Sequence, residues 1–282
     1  MEGMDPFAAY ADSPAAQRET RVDRLSVRTA AFLSDIHAND AALTAVVSEL
    51  VAEPPDVVVL NGDITWGTFP TETVDLIESL RNSVSHVVMI RGNGDRALLD
   101  LHRCVREPES PRDPWMVARH TARDVAELSR VVFQVDIDVV GLGTIRACHG
   151  SPRADIEIIT PGTPLERLAA ATAGLDADVL LTGHSHLQFH RQVDGLRIRH
   201  SVNPVSVGIP YGVAEPGAYW LRVDGSRTDP FDFRHTKYDL DAYLARMLAT
   251  DDPRADVVAK YLCEPPTRDD MIAHGESLMF SD

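Results

Sequence analysis

Cysteine is scarce in this chain, and the scarcity removes one whole class of fold. Cys104, Cys148 and Cys263 are odd in number and widely separated across 282 residues, so no disulfide framework is expected and the chain suits a reducing cytoplasm. Long apolar runs are missing as well. No stretch approaches the ~18–20 residues that a membrane helix requires, so no membrane association is expected. The opening residues, MEGMDPFAAYADSPAAQRETRVDR, hold no apolar segment of the kind that marks a secretory leader. Positive charge is under-represented: 27 Lys and Arg against 43 Asp and Glu leave a net charge of −16. Phosphate backbones are held largely by clustered cations, which argues against a general nucleic-acid binder. A single phosphate ester in a pocket stays open, particularly where bound metal ions invert the local field. Internal repeats and low-complexity tracts are also lacking.

The rest reads as an ordinary globular chain, long enough for one large α/β domain or two small ones. Residues 1–27 read as an N-terminal arm. From residue 28 short apolar runs alternate with helical spacings. Thr29–Leu33, Val57–Leu60 and Val87–Ile90 read as strands, with helices after the first two, the texture of a sheet covered on both faces. Asp40 is a plausible N-cap for the first helix. Further strands are expected over 131–140, 144–148, 179–181, 188–193, 196–201 and 218–223, with a helix over 164–173. The domain is expected to span 28–235, interrupted by a polar, Arg-rich insertion at about 97–130. Within it one helix over 115–128 is expected, bearing Trp115, Arg119 and Arg123; it either overhangs a site or simply covers the fold. Residues 236–282 read as a helical extension packed on the same domain.

Five of the apolar strands end in Asp, His or Asn. The ends are Asp35-Ile36-His37, Gly62-Asp63, Asn93-Gly94-Asp95, His149-Gly150 and His184-Ser185-His186. In open α/β sheets, ligands bind beyond the carboxyl ends of the strands. Residues i and i+2 of an extended segment point the same way, so Asp35 with His37, and His184 with His186, can each face one centre. Taken singly, each has a blander reading: a helix cap with a packed histidine, a tight turn, a surface histidine pair. Their joint occurrence at successive strand ends favours a metal site. Carboxylate, amide oxygen and imidazole suit Mn, Fe(II), Zn and related ions. Asp63, central in the order, could bridge two of them, and paired metals can activate water and clamp an in-line displacement at phosphorus.

In this order these motifs resemble the calcineurin-like metallophosphoesterase superfamily, over about residues 29–225. The segment Asn203-Pro204-Val205-Ser206-Val207-Gly208 is similar to a block in its small bacterial and archaeal phosphodiesterases. The resemblance implies a four-layer α/β/β/α sandwich with a binuclear centre at one edge. By motif position, Asp35, His37 and His186 would hold one divalent ion and Asn93, His149 and His184 the other, with Asp63 bridging. Mn²⁺ is the first expectation, with Fe, Zn, Ni or Co as alternatives. The implied chemistry is attack on phosphorus by a metal-bridging hydroxide, oriented by Asp35, with no covalent phosphoenzyme. The expected substrate is a small phosphodiester or phosphomonoester. Alternatives are a phosphatase acting on phosphoprotein or dinucleoside polyphosphate, and a catalytically weak metal-binding scaffold for a partner protein. Homo-oligomerisation is left open.

One departure stands out. Many members carry a histidine directly after the motif asparagine, read as a general acid or phosphate contact; here that position is Gly94. The small phosphodiesterase branch tends to lack it too, which favours a diester. Asp95 keeps the acidic position that follows, where it orients a ligand or stiffens the loop. Arg91 and Arg96 flank the loop as candidate phosphate clamps. Asn39 is a candidate substrate contact, with an Asx cap as the competing role. Cys148 reads as a buried apolar residue, and His120, His190 and His200 as ordinary histidines, with His120 also a candidate for the substrate wall.

Overall fold

The computed structural model describes residues 25–280. The N-terminal arm lies outside them except for its last three positions, which form a strand. The strands are β1 (Leu25–Val27), β2 (Thr29–Leu33), β3 (Val57–Asn61), β4 (His86–Ile90), β5 (Gln134–Val139), β6 (Gly143–Cys148), β7 (Val179–Leu181), β8 (Phe189–Gln192), β9 (His200–Asn203), β10 (Ala218–Asp224) and β11 (Phe231–Thr236). The helices are α1 (Asp40–Ala52), α2 (Pro70–Arg81), α3 (Asn93–His102), α4 (Arg112–Arg119), α5 (Ala122–Leu128), α6 (Leu165–Ala171), α7 (Leu240–Leu248), α8 (Ala255–Cys263) and α9 (Arg268–Leu278). None of the described helices is long and apolar enough to cross a membrane.

Period-two alternation along fully buried strands builds the layers. In β2 and β3, Ala30, Phe32, Val57 and Val59 face one way, where they meet Val135, Ile137, Ile145, Val179 and Leu181 of a second sheet. Ala31, Leu33, Val58 and Leu60 face the other way, onto Leu43, Val46 and Leu50 of α1 and Ile77 and Leu80 of α2. Cys148 and Leu180 on the far side of the second sheet pack against Leu168 and Ala171 of α6. The result is the expected four-layer α/β/β/α sandwich. One sheet runs β11-β10-β2-β3-β4 and the other β1-β5-β6-β7-β9-β8. Strands β2, β3 and β4 are mutually parallel, as are β6 and β7, so their carboxyl ends open along one edge.

Several elements differ from the sequence expectation. The single helix expected over 115–128 is two, α4 and α5, because Thr121 starts a new capping box with Asp124. Between them, His120 bonds the carbonyl of Met116 at 2.8 Å and the hydroxyl of Thr65 at 2.9 Å, an ordinary structural histidine. The strand expected at 196–201 begins only at His200, after a turn with Gly195 at φ +83°. Strands β1 and β11 and helix α3 went unread.

The insertion both covers the fold and, through Arg106, Glu109, Ser110, Arg112 and Asp113, lines the cleft beyond the strand ends. Trp115 donates its indole N–H to Asp251 at 3.0 Å, and Arg119 lies over the Trp115 ring while pairing with the same carboxylate. Arg123 pairs with Asp75 at 2.6 Å. The C-terminal extension is anchored similarly: Tyr243, Met247, Val258 and Leu262 bury Phe69, just ahead of α2.

Candidate metal centre

At the shared sheet edge the backbone pairing continues past the strands. Asp35 N–H donates to Gly62 carbonyl at 3.0 Å, His37 N–H to Asp63 carbonyl at 2.8 Å, and Gly183 N–H to His149 carbonyl at 2.7 Å. These loops run through left-handed backbone. Nine non-glycine residues have positive φ among the described residues, and five are Asp35, His37, Asp63, His184 and His186. Each costs on the order of 1–3 kcal/mol and persists only where surrounding structure over-determines it, which is typical of functional sites. Gly62, at φ +88°, also admits the His149 ring; a Cβ there would stand 2.4 Å from Nδ1.

The histidine hydrogen bonds decide what the site can hold. His37 Nδ1 donates to Trp66 carbonyl at 3.1 Å, His149 Nδ1 to Asn61 carbonyl at 2.9 Å, and His186 Nδ1 to Ile209 carbonyl at 2.6 Å. Each bond fixes the proton on Nδ1 in the neutral ring and leaves Nε2 as a bare acceptor, the arrangement of metal-ligating imidazoles. The Nε2 atoms then face other acceptors. His37 Nε2 and His186 Nε2 lie 3.1 Å apart, and His149 Nε2 lies 3.1 Å from Asn93 Oδ1. His186 Nε2 is 3.2 Å from Asp35 Oδ1, while Asp63 stands 3.6 Å from both His37 and His149. His184 Nε2 is buried with no hydrogen-bond partner among the described residues, and its ring lies 5.1 Å from that of His149. Lone pairs facing lone pairs repel unless positive charge lies between them. The residues therefore fit divalent cations: the donor atoms of Asp35, His37 and His186 fall within 4.8 Å of one another, as do those of Asp35, Asp63 and His149.

Electrostatics gives the same picture. Burial would raise the Asp35 carboxyl, but His186 and His149 outweigh it and hold the group well below the usual carboxylate range. Burial likewise opposes charge on His149 and His186, yet Asp63 and Asp35 hold the first, and Asp35 the second, above the ordinary histidine value. Burial pushes His184 down to about 4, with His149 adding to the shift, and lowers His37 against the pull of Asp63. A bound cation takes the same Nε2 lone pairs that a proton would, so metal binding competes with protonation of His149 and His186.

A model of the calcineurin-like phosphoesterase superfamily domain matches residues 29–226. The chain belongs to this superfamily. A hypothetical protein from Pyrococcus horikoshii superimposes with TM-score 0.69 at 22% identity, covering 83% of this chain and 97% of that one. A metallophosphoesterase from Sphaerobacter thermophilus gives TM-score 0.63 at 22% identity, covering 85% and 99%. Both share the fold. No curated protein matches the chain.

Against the superfamily motifs, the site residues expected from sequence divide into two groups. Asp35, His37, Asp63, Asn93, His149, His184 and His186 all gather at the one edge. The candidate substrate contacts do not line the cleft in front of it. Asn39 caps α1, accepting from Ala42 N–H at 3.0 Å and donating to Gly208 carbonyl and the Tyr238 hydroxyl. Arg91 and Arg96 both turn to Asp155, at 3.5 and 2.9 Å, with Arg91 also lying over Phe133. Asp95 stiffens the loop: it accepts from Ile64 N–H and Gly92 N–H at 2.9 Å each, fastening the β3 and β4 ends together. Burial and the Asp63 carboxylate push Asp95 up to about 7.

Three supports had no role read from sequence, although the Asn203–Gly208 block is singled out there. The Ser34 hydroxyl donates to Asp35 Oδ2 at 2.5 Å. The Asn203–Gly208 block braces two loops, with Asn203 donating to Gly183 carbonyl at 2.8 Å and the Ser206 hydroxyl to Asp35 carbonyl at 2.7 Å. Trp66 fills the side of Gly94: a Cβ on Gly94 would stand 2.8 Å from Trp66 Cβ and 3.1 Å from Asp63 Oδ1. The histidine common elsewhere in the superfamily thus has no room here. Introducing it as Gly94→His is expected to destabilise the metal-free protein by about 1–3 kcal/mol through overpacking. Thermal unfolding checks this, and adding Trp66→Gly should recover part of the loss.

Proposed function

We propose that the protein is a dinuclear-metal phosphoesterase acting on a small phosphodiester, with phosphomonoesters as poorer substrates. One observation carries the reading: three imidazoles, two buried and that of His37 largely so, each fixed through Nδ1 by a backbone carbonyl, turn bare Nε2 atoms toward one another and toward Asp35, Asp63 and Asn93. In this reading Asp35, His37 and His186 hold one ion, Asn93, His149 and His184 the other, and Asp63 lies between. Bound there, two divalent ions such as Mn²⁺ would supply water of lowered pKa and neutralise the equatorial oxygens of the ester during in-line attack. The chain's own residues orient and exclude. Asp35, held by the Ser34 hydroxyl and by His184 N–H, has a fixed carboxylate for aligning the nucleophile. Asp63 is kept in place by Gly94 N–H at 2.8 Å.

The diester preference rests on Trp66 packed beside Gly94, which leaves no imidazole at the position that serves as general acid elsewhere. General acid catalysis is worth roughly 10²–10⁴-fold, and its loss weighs least on esters with good leaving groups. The complete donor set favours an enzyme over a scaffold. All three cysteines are free thiols, which supports a cytoplasmic setting.

Purified protein reconstituted with Mn²⁺ should hydrolyse a bis-aryl phosphodiester faster than the matching aryl monoester. Faster monoester turnover would reverse the ranking, and no turnover with any divalent metal would overturn the enzyme reading.

A further inference from the structure

In front of the proposed metal centre lies a cleft of about 640 Å³, inside the roughly 300–1,000 Å³ typical of small-molecule sites. His37, Asp63, Asn93, His184 and His186 form its floor. Its outer wall comes from elsewhere in the chain. Helix α8 supplies Val257, Val258 and Tyr261, and α9 supplies Met271 and His274. Both helices lie beyond residue 226, outside the stretch that matches the superfamily model. This wall therefore lies outside the matched domain, and its chemistry reports on the part of the substrate away from phosphorus.

That chemistry is aromatic and cationic. The Tyr211 ring stacks on His186, with centroids 4.8 Å apart and planes 20° apart, so an aromatic surface begins at the floor itself. Tyr261 continues it, edge-on to Tyr211 with centroids 5.7 Å apart. Trp66 lines the cleft beside Gly94, and Val257 stays 39% exposed, apolar surface left uncovered at the rim. Arg254 joins the same wall, and no carboxylate pairs with its guanidinium among the described residues. The acids nearby are already engaged: Asp113 accepts from Ser110 and from Glu109 N–H, and Glu109 pairs with Arg106. An incoming anion therefore meets donors and rings at this wall.

We propose that the α8–α9 wall is a binding subsite for a planar aromatic group on the phosphate ester, a nucleobase being the matching chemistry, with Tyr261 and Arg254 as specificity-determining residues. The proposal rests on the phosphoesterase reading and narrows its substrate to nucleotide esters. Aliphatic walls alone would suit a lipid tail, and hydroxyl-rich walls a sugar. Rings beside an arginine suit a base, which stacks on a π-face and offers carbonyl or ring-nitrogen acceptors at its edge. Removing one stacking ring is worth about ten-fold or more in affinity at comparable sites.

Calorimetric titration of the Mn²⁺-loaded protein tests this with three ligands that share the phosphate: thymidine 5′-monophosphate, ribose 5-phosphate and inorganic phosphate. Wild type should bind the nucleotide at least about ten-fold more tightly than either of the others. Tyr261→Ala should shrink that ratio by about ten-fold, Tyr261→Phe should keep it, and Arg254→Gln, at an exposed position, should reduce it several-fold. Equal binding of nucleotide and ribose phosphate by wild type would overturn the base subsite, whatever the variants do. A nucleotide advantage untouched by Tyr261→Ala and Arg254→Gln would overturn the assignment to this wall. Failure of all three ligands to bind, together with no ester turnover, would remove the phosphoesterase reading and this proposal with it.

Discussion

Asp63→Asn should reduce Mn²⁺-dependent diester turnover by roughly 10³-fold or more, the scale of several kcal/mol of transition-state stabilisation, while the metal-free protein keeps its fold. The amide oxygen of Asn can still accept from Gly94 N–H, so the 2.8 Å bond that positions the loop survives. What disappears is a negative charge standing 3.6 Å from both His37 and His149, one histidine from each half of the proposed site. In the metal-free protein that charge helps and hurts. It holds His149 above the ordinary histidine value, and it crowds Asp95, whose carboxyl it helps push up to about 7. The two effects oppose each other, so metal-free stability should change by no more than about 1 kcal/mol, within the range of mild substitutions. Metal separates the variants again. Mn²⁺ at a hundred times its dissociation constant stabilises wild type by about 2.7 kcal/mol, and Asp63→Asn should lose most of that gain in a thermal melt. Turnover retained by the variant would move the chemistry away from this edge.

Much of this site was legible because its residues sit directly after apolar strands, where sequence adjacency and spatial position coincide. Asp35, Asp63, Asn93, His149 and His184 each follow a strand by one to three positions, and parallel pairing brings those ends to one edge. The backbone did the rest. Asn39 and Asp95 were harder, since a polar residue at a helix start can cap, bind or brace, and only the partners Ala42, Ile64 and Gly92 decide. Helix α3 went unread because Asn93-Gly94 carries a strong local turn signal; Leu98, packed in the core, overrides it. Trp66 at Gly94 and the α8–α9 wall at the cleft had no sequence signal, because both depend on contacts between segments far apart in the chain. Arg91 and Arg96 had the right charge for a phosphate clamp, and Asp155, some sixty positions on, took them instead.

Asp252→Ala is expected to cost about 3–5 kcal/mol, because it strands a buried arginine. Arg112 meets Asp252 through two bonds, Nε to Oδ1 at 3.1 Å and Nη2 to Oδ2 at 2.8 Å, with the Asp252 side chain wholly buried and that of Arg112 10% exposed. The Thr68 hydroxyl donates to the same Oδ2 at 2.9 Å, and Arg254 N–H to Oδ1 at 2.9 Å. One carboxylate thus ties together the start of α4, the loop after Trp66 and the start of α8. These are the insertion, the edge of the proposed metal centre and the wall of the cleft. Urea unfolding should show the loss as a lower midpoint. The penalty comes from the uncompensated charge and not from the pair's own worth, since buried ion pairs are often matched by apolar residues of similar size. Arg112→Met with Asp252→Leu should therefore regain much of the lost stability, while Asp252→Ala alone does not. If the double variant is as unstable as the single one, the junction depends on the hydrogen bonds to Thr68 and Arg254, and geometry in place of charge holds the wall over the site.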